Sequence, residues 1–265
     1  MRRPLRSQAG GVAAQSATMQ SSQPPPRPPF EAPLETRAGS ALQPRVTKLS
    51  SKAVLNAHSE KLFASESLKD RIARALCDAR CLPRKEFFEG WEVARRIRRR
   101  MRGGHVFDLA AGHGVVAAML LLLDGSSPGA TCVDTRRPKS NQRVMDALAA
   151  RWPRLQDEVN YVEGRLETVR PGPDDIVVSV HACGALTDRV LDVAIAARCR
   201  VAVLPCCHSI KHCDSGSLRG WMDAPLAIDV QRVVRLERAG FDVTTQQIPA
   251  AITPKNRLLL ASPRN

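Results

Sequence analysis

Two short segments of the sequence concentrate side chains that can carry out chemistry. They hold three of the six histidines and four of the eight cysteines. The first, residues 180–188, reads VHACGALTD and contains His181 and Cys183, and the second, residues 204–213, reads LPCCHSIKHC and contains Cys206, Cys207 and His208. Thiols and imidazoles serve proteins as nucleophiles, general bases and metal ligands. The clustering predicts one reactive site, provided that the fold brings the two segments together.

The residue types in these segments leave three functional interpretations and one structural one. In the first interpretation, His181 or His208 is a general base that takes a proton from a nucleophile. A subset of the thiols and imidazoles binds zinc, although no C-x-x-C pair is present, and we assign no metal from the sequence. Alternatively, Cys206 or Cys207 attacks a substrate covalently. The structural interpretation is that the cysteines pack as small apolar side chains, which is what we predict for Cys77, Cys81, Cys132 and Cys199.

A glycine-rich turn stands ahead of these segments. Residues 106–114 read VFDLAAGHG, a short apolar run followed by an acid and two glycines. Gly112 and Gly114 allow the backbone to approach a ligand without a Cβ in the way. Asp108 can accept hydrogen bonds from an ammonium group, whereas it would repel a pyrophosphate. The turn therefore favours S-adenosylmethionine over a dinucleotide such as NAD, which the looser pattern Gly-x-Gly-x-x-Ala also permits.

Other positions are expected to complete the cofactor site. Asp134 ends the next apolar run, twenty-two residues after Gly112, where a carboxylate would pair with ribose hydroxyls. Gly164 and Arg165 follow the third run and would border the adenine. The predicted cofactor residues are Asp108, Ala110, Gly112, Gly114, Asp134, Gly164 and Arg165.

Short apolar runs alternate with amphipathic stretches from residue 105 onward, which predicts a parallel, doubly wound sheet. The predicted strands are His105–Leu109, Ala130–Val133, Val159–Val162, Ile176–Val180 and Val201–Leu204. The predicted helices are Gly114–Leu123, Lys139–Arg151, Leu186–Ala197 and Ala227–Ala239. The tail differs, because Phe241–Ile248 and Arg257–Ser262 are joined by a loop too short for a crossover. We predict a Rossmann-like, mostly parallel, seven-stranded sheet with a C-terminal antiparallel hairpin.

The region before the sheet divides into two parts. Residues 1–45 are rich in proline and arginine and are predicted to be disordered, either as a plain tail or as an organelle transit peptide. Residues 46–104 are predicted to form a helical extension, with one helix from about Ser67 to Pro83 and another over 89–102. Residues 105–265 are predicted to form the cofactor-binding domain.

Charge and apolar content limit the classes of partner. The net charge is +14, which indicates either a polyanionic partner, usually nucleic acid, or an arginine-rich genome. The helix 89–102 carries six arginines and is predicted to contact RNA. No apolar run is long enough to span a bilayer, so we expect no membrane contact. We expect an intracellular protein, located in the cytoplasm, or in an organelle matrix if the first residues are a transit peptide.

The paired motifs HxCG (His181–Gly184) and PCCH (Pro205–His208) resemble those of one methyltransferase group. That group includes eukaryotic tRNA acceptor-stem 2′-O-ribose methyltransferases and the methyltransferase-like domain of a glutathione-transferase-C-terminal-containing protein. The resemblance covers about residues 50–265 and is strongest over 105–210. It implies a class I methyltransferase fold, S-adenosylmethionine as cofactor and RNA modification as the activity, with the Cys/His motifs facing the acceptor.

Overall fold

The computed structural model describes residues 49–264, so the prediction for residues 1–45 lies outside the described part of the chain. The helices are α1 (Leu68–Ala79), α2 (Arg84–Arg98), α3 (Val115–Leu123), α4 (Asn141–Ala149), α5 (Leu155–Glu158), α6 (Ala185–Ala197) and α7 (Ala224–Arg238). The strands are β1 (Val106–Leu109), β2 (Ala130–Asp134), β3 (Val159–Glu163), β4 (Ile176–Ser179), β5 (Arg200–Val203), β6 (Phe241–Gln247) and β7 (Arg257–Pro263).

The seven strands form one sheet in the order β3-β2-β1-β4-β5-β7-β6. Strands β1 to β5 pair in parallel, while β7 pairs antiparallel with both β5 and β6. The predicted fold is confirmed: a mostly parallel sheet that ends in an antiparallel hairpin. Since parallel strands share one carboxyl edge, the loops after β1, β2, β3, β4 and β5 all open on the same side of the sheet.

Both faces of the sheet are covered by helices. Along β4, Ile176 and Val178 join a core that includes α1, α2, α3 and α4, while Val177 points into the core beneath α6 and α7. All four residues of β4 are buried, as expected for a central parallel strand whose two faces are both covered. In residues 49–264, no helix has the length and the apolar content that a membrane span requires.

The second helix is shifted from its predicted position. It spans Arg84–Arg98 rather than 89–102, because Pro83 lies in extended backbone as the N-cap and the chain turns helical directly after it. From the sequence, Pro83 predicts only the end of the preceding helix. That helix, α1, already ends at Ala79, where Arg80 adopts a left-handed conformation with φ 50°.

Candidate active site

The glycine-rich turn between β1 and α3 is a tight loop with three residues at positive φ. Ala110, Gly112 and Gly114 have φ of 57°, 51° and 72°. A Cβ on Gly114 would approach the Cys132 sulfur to 3.0 Å, so this glycine is required by both conformation and space. A Cβ on Gly112 would meet nothing within 4 Å. Gly112 therefore faces open space, as a backbone that cradles a ligand must.

Neighbouring elements hold this loop in place. The Gly112 N–H donates to Oδ2 of Asp134 at the end of β2 over 3.0 Å. The Tyr161 hydroxyl on β3 donates to the Gly112 carbonyl at 2.9 Å, and the Asn141 amide on α4 donates to the His113 carbonyl at 2.9 Å. Sequence reasoning missed Tyr161 and Asn141, because contacts between residues so far apart in the chain leave no local pattern.

Asp108 lies beneath the loop and is only 2% exposed. Its Oδ2 accepts a hydrogen bond from the Ala117 N–H at 3.3 Å. Burial raises the pKa of Asp108 to about 8, with the nearby Asp134 carboxylate adding to the rise and the Ala117 bond opposing it. A neighbouring cation strongly stabilises the ionised form of a carboxyl group that is buried in this way. The predicted contact with the ammonium group of the cofactor remains a prediction.

A cavity of about 280 Å³ opens beside the loop. Its lining includes four of the predicted cofactor residues, Ala110, Asp134, Gly164 and Arg165. Val133 and Leu166 contribute apolar walls. A cavity with both apolar walls and a carboxylate suits an adenosine group, whose base packs on carbon and whose ribose hydroxyls donate to oxygen.

His181 is placed next to the glycine-rich turn through Glu86, the third residue of α2. Glu86 Oε2 lies 3.4 Å from Nδ1 of His113 in the turn. Burial raises the pKa of Glu86, but the hydrogen bond with His113 and the electrostatic effect of the His181 and His113 imidazoles outweigh it and hold the pKa below its ordinary value. The exposed imidazole of His181 is thus close enough to Glu86 to influence its pKa. No local pattern points to Glu86, because it lies almost a hundred residues before His181 in the chain.

The loops after β4 and β5 bring three thiols together. Cys183 Sγ lies 3.2 Å from Cys206 Sγ, and Cys206 Sγ lies 3.8 Å from Cys207 Sγ. Cys183 and Cys207 are exposed, and Cys206 is half-buried. A backbone hydrogen bond from Gly184 N–H to the Cys207 carbonyl, 3.1 Å long, joins the two loops. The predicted convergence of these cysteines is thus what the fold produces.

The environment of the thiols bears on their reactivity. Burial raises the pKa of Cys206 well above its ordinary value, and the neighbouring thiols Cys183 and Cys207 raise it further. Burial also raises the pKa of Cys183. A nucleophilic cysteine needs a lowered pKa, because the thiolate is the attacking species. The raised pKa values therefore disfavour the covalent interpretation for Cys183 and Cys206.

His208 departs from the predicted arrangement. Its side chain is 1% exposed, and its Nε2 lies 2.8 Å from Oδ1 of Asp229 on α7. Burial raises the pKa of Asp229, but hydrogen bonds from His208 and Arg257 outweigh that effect and hold it below its ordinary value. An imidazole enclosed in this way does not reach a substrate, so we correct the expectation that His208 faces the acceptor. Of the two candidate bases, His181 is the accessible one.

A buried arginine on α7 connects both Cys/His loops. Arg232 is 2% exposed and donates to the carbonyl of Gly184 at 3.1 Å, next to Cys183. It also donates to Asp188 at 2.8 Å and to Asp229, the partner of His208, at 3.1 Å. Arg232 therefore fixes the loop after β4 and, through Asp229, the loop after β5. Nothing in the local sequence distinguishes it from the other arginines.

The arginines of α2 do not form the predicted exposed face. Arg98 is buried, with its Nε donating to the Leu120 carbonyl at 3.0 Å and its Nη2 to the Ser127 hydroxyl at 2.8 Å. These two bonds, together with Asp124 Oδ1 at 3.6 Å from Nε, offset the cost of burial, while Nη1 has no hydrogen-bond partner among the described residues. Arg98 is thus a structural residue, and the prediction that it covers a solvent face is wrong.

The remaining arginines of this region are either paired or distant from the cofactor loop. Arg95 and Arg96 pair with Glu92 on the same helix. The exposed Arg99, Arg100 and Arg102 follow the end of α2, where the chain enters the amino end of β1. The carboxyl end of β1, with the glycine-rich turn, is at the opposite end of the strand. An RNA bound at these three arginines would therefore lie away from the cofactor.

Comparison with known proteins shows a similarity over part of the chain. Residues 91–212 match the sequence profile of a family described as a methyltransferase domain. This match supports S-adenosylmethionine-dependent methyl transfer as the activity. The matched segment begins in α2, contains the glycine-rich turn and both Cys/His motifs, and ends after the thiol cluster. The open side of Gly112 and the cavity at Asp134 fit the cofactor of this methyltransferase domain.

Several solved structures resemble this methyltransferase domain. A tRNA methyltransferase of B. subtilis, TrmK, is 14% identical, with a TM-score of 0.45 over 65% of this chain and 66% of that chain. An O-methyltransferase family protein from Burkholderia thailandensis is 16% identical, with a TM-score of 0.45 over 78% and 63%. Sp1610 of Streptococcus pneumoniae, crystallised with S-adenosyl-L-methionine, is 13% identical, with a TM-score of 0.44 over 65% and 73%. The aligned part thus spans about two thirds of each of these chains. No curated protein sequence matches the chain.

Proposed function

We propose that this methyltransferase domain transfers a methyl group from S-adenosylmethionine to RNA. The observation that carries the proposal is the charge of the loops around the cofactor edge. The loops after β2, β5 and β6, residues 135–140, 204–223 and 248–256, carry five exposed basic side chains and two exposed acidic ones. The basic side chains are Arg136, Lys139, Lys211, Arg219 and Lys255, and the acidic ones are Asp214 and Asp223. An excess of exposed cations beside a reaction site suits a phosphate backbone.

An exposed aromatic side chain on the same edge supports the proposal. Trp221, in the loop between β5 and α7, is 87% exposed. A ring exposed to that degree is available for contact, and unpaired bases stack well on such rings. Basic side chains with an aromatic ring among them are typical of single-stranded RNA contacts. The resemblance of the two Cys/His motifs to those of tRNA-modifying enzymes agrees with this substrate class.

Residues of this chain would align the acceptor and take its proton. When bound, S-adenosylmethionine supplies a methyl group that a nucleophile displaces in line from sulfur. His181 is exposed and close to Glu86, so we propose it as the general base that removes the proton of the attacking oxygen or nitrogen. Asp108 would hold the cofactor from below, and Asp134 would bind its ribose. Gly112, which has no side chain, would allow the protein backbone to lie close to the cofactor.

The experiment is label transfer from methyl-labelled cofactor into separated RNA, protein and small-molecule fractions of cells. We expect label in RNA, and the RNA class that takes it identifies the substrate. Label confined to protein or small molecules contradicts RNA as acceptor. Cofactor binding with no label in any fraction contradicts the activity itself and indicates a binding module.

A charge variant separates the proposed RNA surface from the arginines on the opposite edge. Replacing Arg136, Lys139 and Lys211 with alanine should lower RNA affinity and reduce the slope of log K against log salt by about 2, since each single-strand phosphate contact contributes about 0.7. The matched control replaces Arg99 and Arg100, which lie at the amino edge, and should leave the slope unchanged. The reverse result would restore the arginine-rich segment 89–102 as the RNA contact.

A small-molecule acceptor is the second candidate, and a cavity favours it. A cavity of about 620 Å³ lies between α7 and the β6–β7 hairpin, lined by Pro205 next to Cys206 and by apolar side chains that include Val230, Val233 and Leu259. Pockets of this size and composition bind small molecules. Label in the small-molecule fraction that disappears when Val233 is replaced by a larger residue would select this candidate.

A further inference from the structure

The three thiols of Cys183, Cys206 and Cys207 have the spacing of a metal-binding set. Their sulfur atoms all lie within 4.8 Å of one another, and the two shorter separations are 3.2 Å and 3.8 Å. Zinc binds thiolates at about 2.3 Å in a tetrahedral arrangement, which places the sulfurs about 3.8 Å apart. The sulfurs therefore need to move by only a few tenths of an ångström to about an ångström to share one ion.

The backbone that carries the thiols is held from behind. Arg232 donates to the Gly184 carbonyl, adjacent to Cys183, and to Asp229. Asp229 in turn bonds His208, adjacent to Cys207. Metal sites depend on such supporting hydrogen bonds, because they keep the ligands in position before the ion arrives. The thiol cluster is thus a preorganised site rather than three side chains on mobile loops.

We propose that Cys183, Cys206 and Cys207 bind one soft divalent cation, Zn²⁺ in the cell, through three thiolates, with a fourth position open to solvent. Within residues 49–264, the group of ligand atoms at this spacing consists of these three sulfurs alone. Structural zinc sites have four protein ligands, while sites that act on substrates have three and leave a position for water or a substrate atom. The exposure of Cys183 and Cys207 places the open position toward solvent at the carboxyl edge.

Metal binding changes the protonation of the three thiols. When the ion binds, each thiol gives its proton to solvent, and its sulfur lone pair bonds the metal.

The test uses the full chain, reduced and freed of metal by a chelator. Zn²⁺ is added in equilibrium dialysis, and Co²⁺ is added as a spectroscopic probe of thiolate coordination. We expect one ion per chain, intense thiolate-to-cobalt absorption and release of protons in proportion to the ion bound. Replacing Cys183, Cys206 or Cys207 singly with serine should abolish stoichiometric binding. The control Cys81→Ser changes a half-buried thiol outside the cluster and should bind as the wild type does.

Protection from alkylation covers the case in which a serine variant does not fold. In the wild-type chain, Zn²⁺ should shield these three thiols, and not Cys81, from iodoacetamide, as peptide mass mapping would show. The proposal is overturned if the reduced chain takes up no ion, or if the serine variants bind as tightly as the wild type. A Cys183–Cys206 disulfide in a chain that takes up no zinc after reduction would overturn it too and would assign the pair to redox chemistry.

Discussion

The buried carboxyl group of Asp108 lowers the stability of the fold, and replacing it with asparagine should reveal by how much. Asparagine has nearly the same shape and can still accept the Ala117 N–H bond at 3.3 Å, but it carries no charge to desolvate. Burial raises the pKa of Asp108 from 3.8 to about 8. Because this pKa is raised in the folded state, the contribution of Asp108 to stability is most favourable below about pH 4 and is lost as the pH rises toward 8.

The magnitude follows from the two pKa values. Each unit between the unfolded pKa and the working pH costs about 1.4 kcal/mol until the folded pKa is reached. At pH 5 the cost is about 1.5 kcal/mol, and at pH 7 it is about 4 kcal/mol. Asp108→Asn should therefore be more stable than the wild type by these amounts, and the difference should level off above pH 8.

Urea unfolding at pH 5, 6, 7 and 8 measures the difference. The control Asp78→Asn, at an exposed carboxylate paired with Arg151, should change the unfolding free energy by less than about 1 kcal/mol at every pH. Asp108→Asn should also bind S-adenosylmethionine more weakly, since a neutral amide attracts an ammonium group less than a carboxylate does. A variant no more stable than the wild type at pH 7, or a difference that does not grow with pH, would refute the reasoning.

Three further substitutions examine the cofactor edge and its support. Asp134→Ala should weaken S-adenosylmethionine binding by about 1–3 kcal/mol, measured by titration calorimetry, and unchanged affinity would remove Asp134 from the site. His181→Ala should cut methyl transfer by about 10²- to 10⁴-fold with cofactor affinity retained; turnover within a few-fold of wild type would exclude a base role. Arg232→Met should destabilise the fold by about 3–5 kcal/mol, because Asp188 and Asp229 lose a buried partner. Denaturant melts that show a loss below 1 kcal/mol would mean that the two loops are held in some other way.

The sheet was predictable because its signal is local. Short, largely apolar runs such as Ile176–Ser179 alternate with helical patterns, and this alternation predicts parallel strands with covered faces. Asp134 could also be located, since it directly ends such a run. Parallel topology then brings the loops after β4 and β5 to one edge, which is why the meeting of Cys183 with Cys206 was predictable without side-chain detail.

The interactions that stabilise the site were not predictable from local pattern. Arg232 and Gly184 are 48 residues apart in the chain, and no spacing rule connects them. Arg98 looks like its neighbours on α2, yet it is the one whose donors are all directed into the protein. His208 has the same residue type and motif context as a catalytic base, and only the position of Asp229 shows that it is enclosed. Side-chain burial depends on tertiary packing, which a residue's local sequence does not encode.

The position of β7 has a consequence for the order of synthesis. This strand, Arg257–Pro263, lies between β5 and β6, so the last strand of the sheet to leave the ribosome is an interior one. Until it arrives, a nascent chain leaves the hydrogen-bonding edge of β5 unpaired and an apolar groove open beside it. Such an edge can pair with other chains, which makes the incomplete protein a substrate for chaperones. A premature stop codon shortly before residue 257 should therefore produce an aggregation-prone product even though every residue of the cofactor site has been translated.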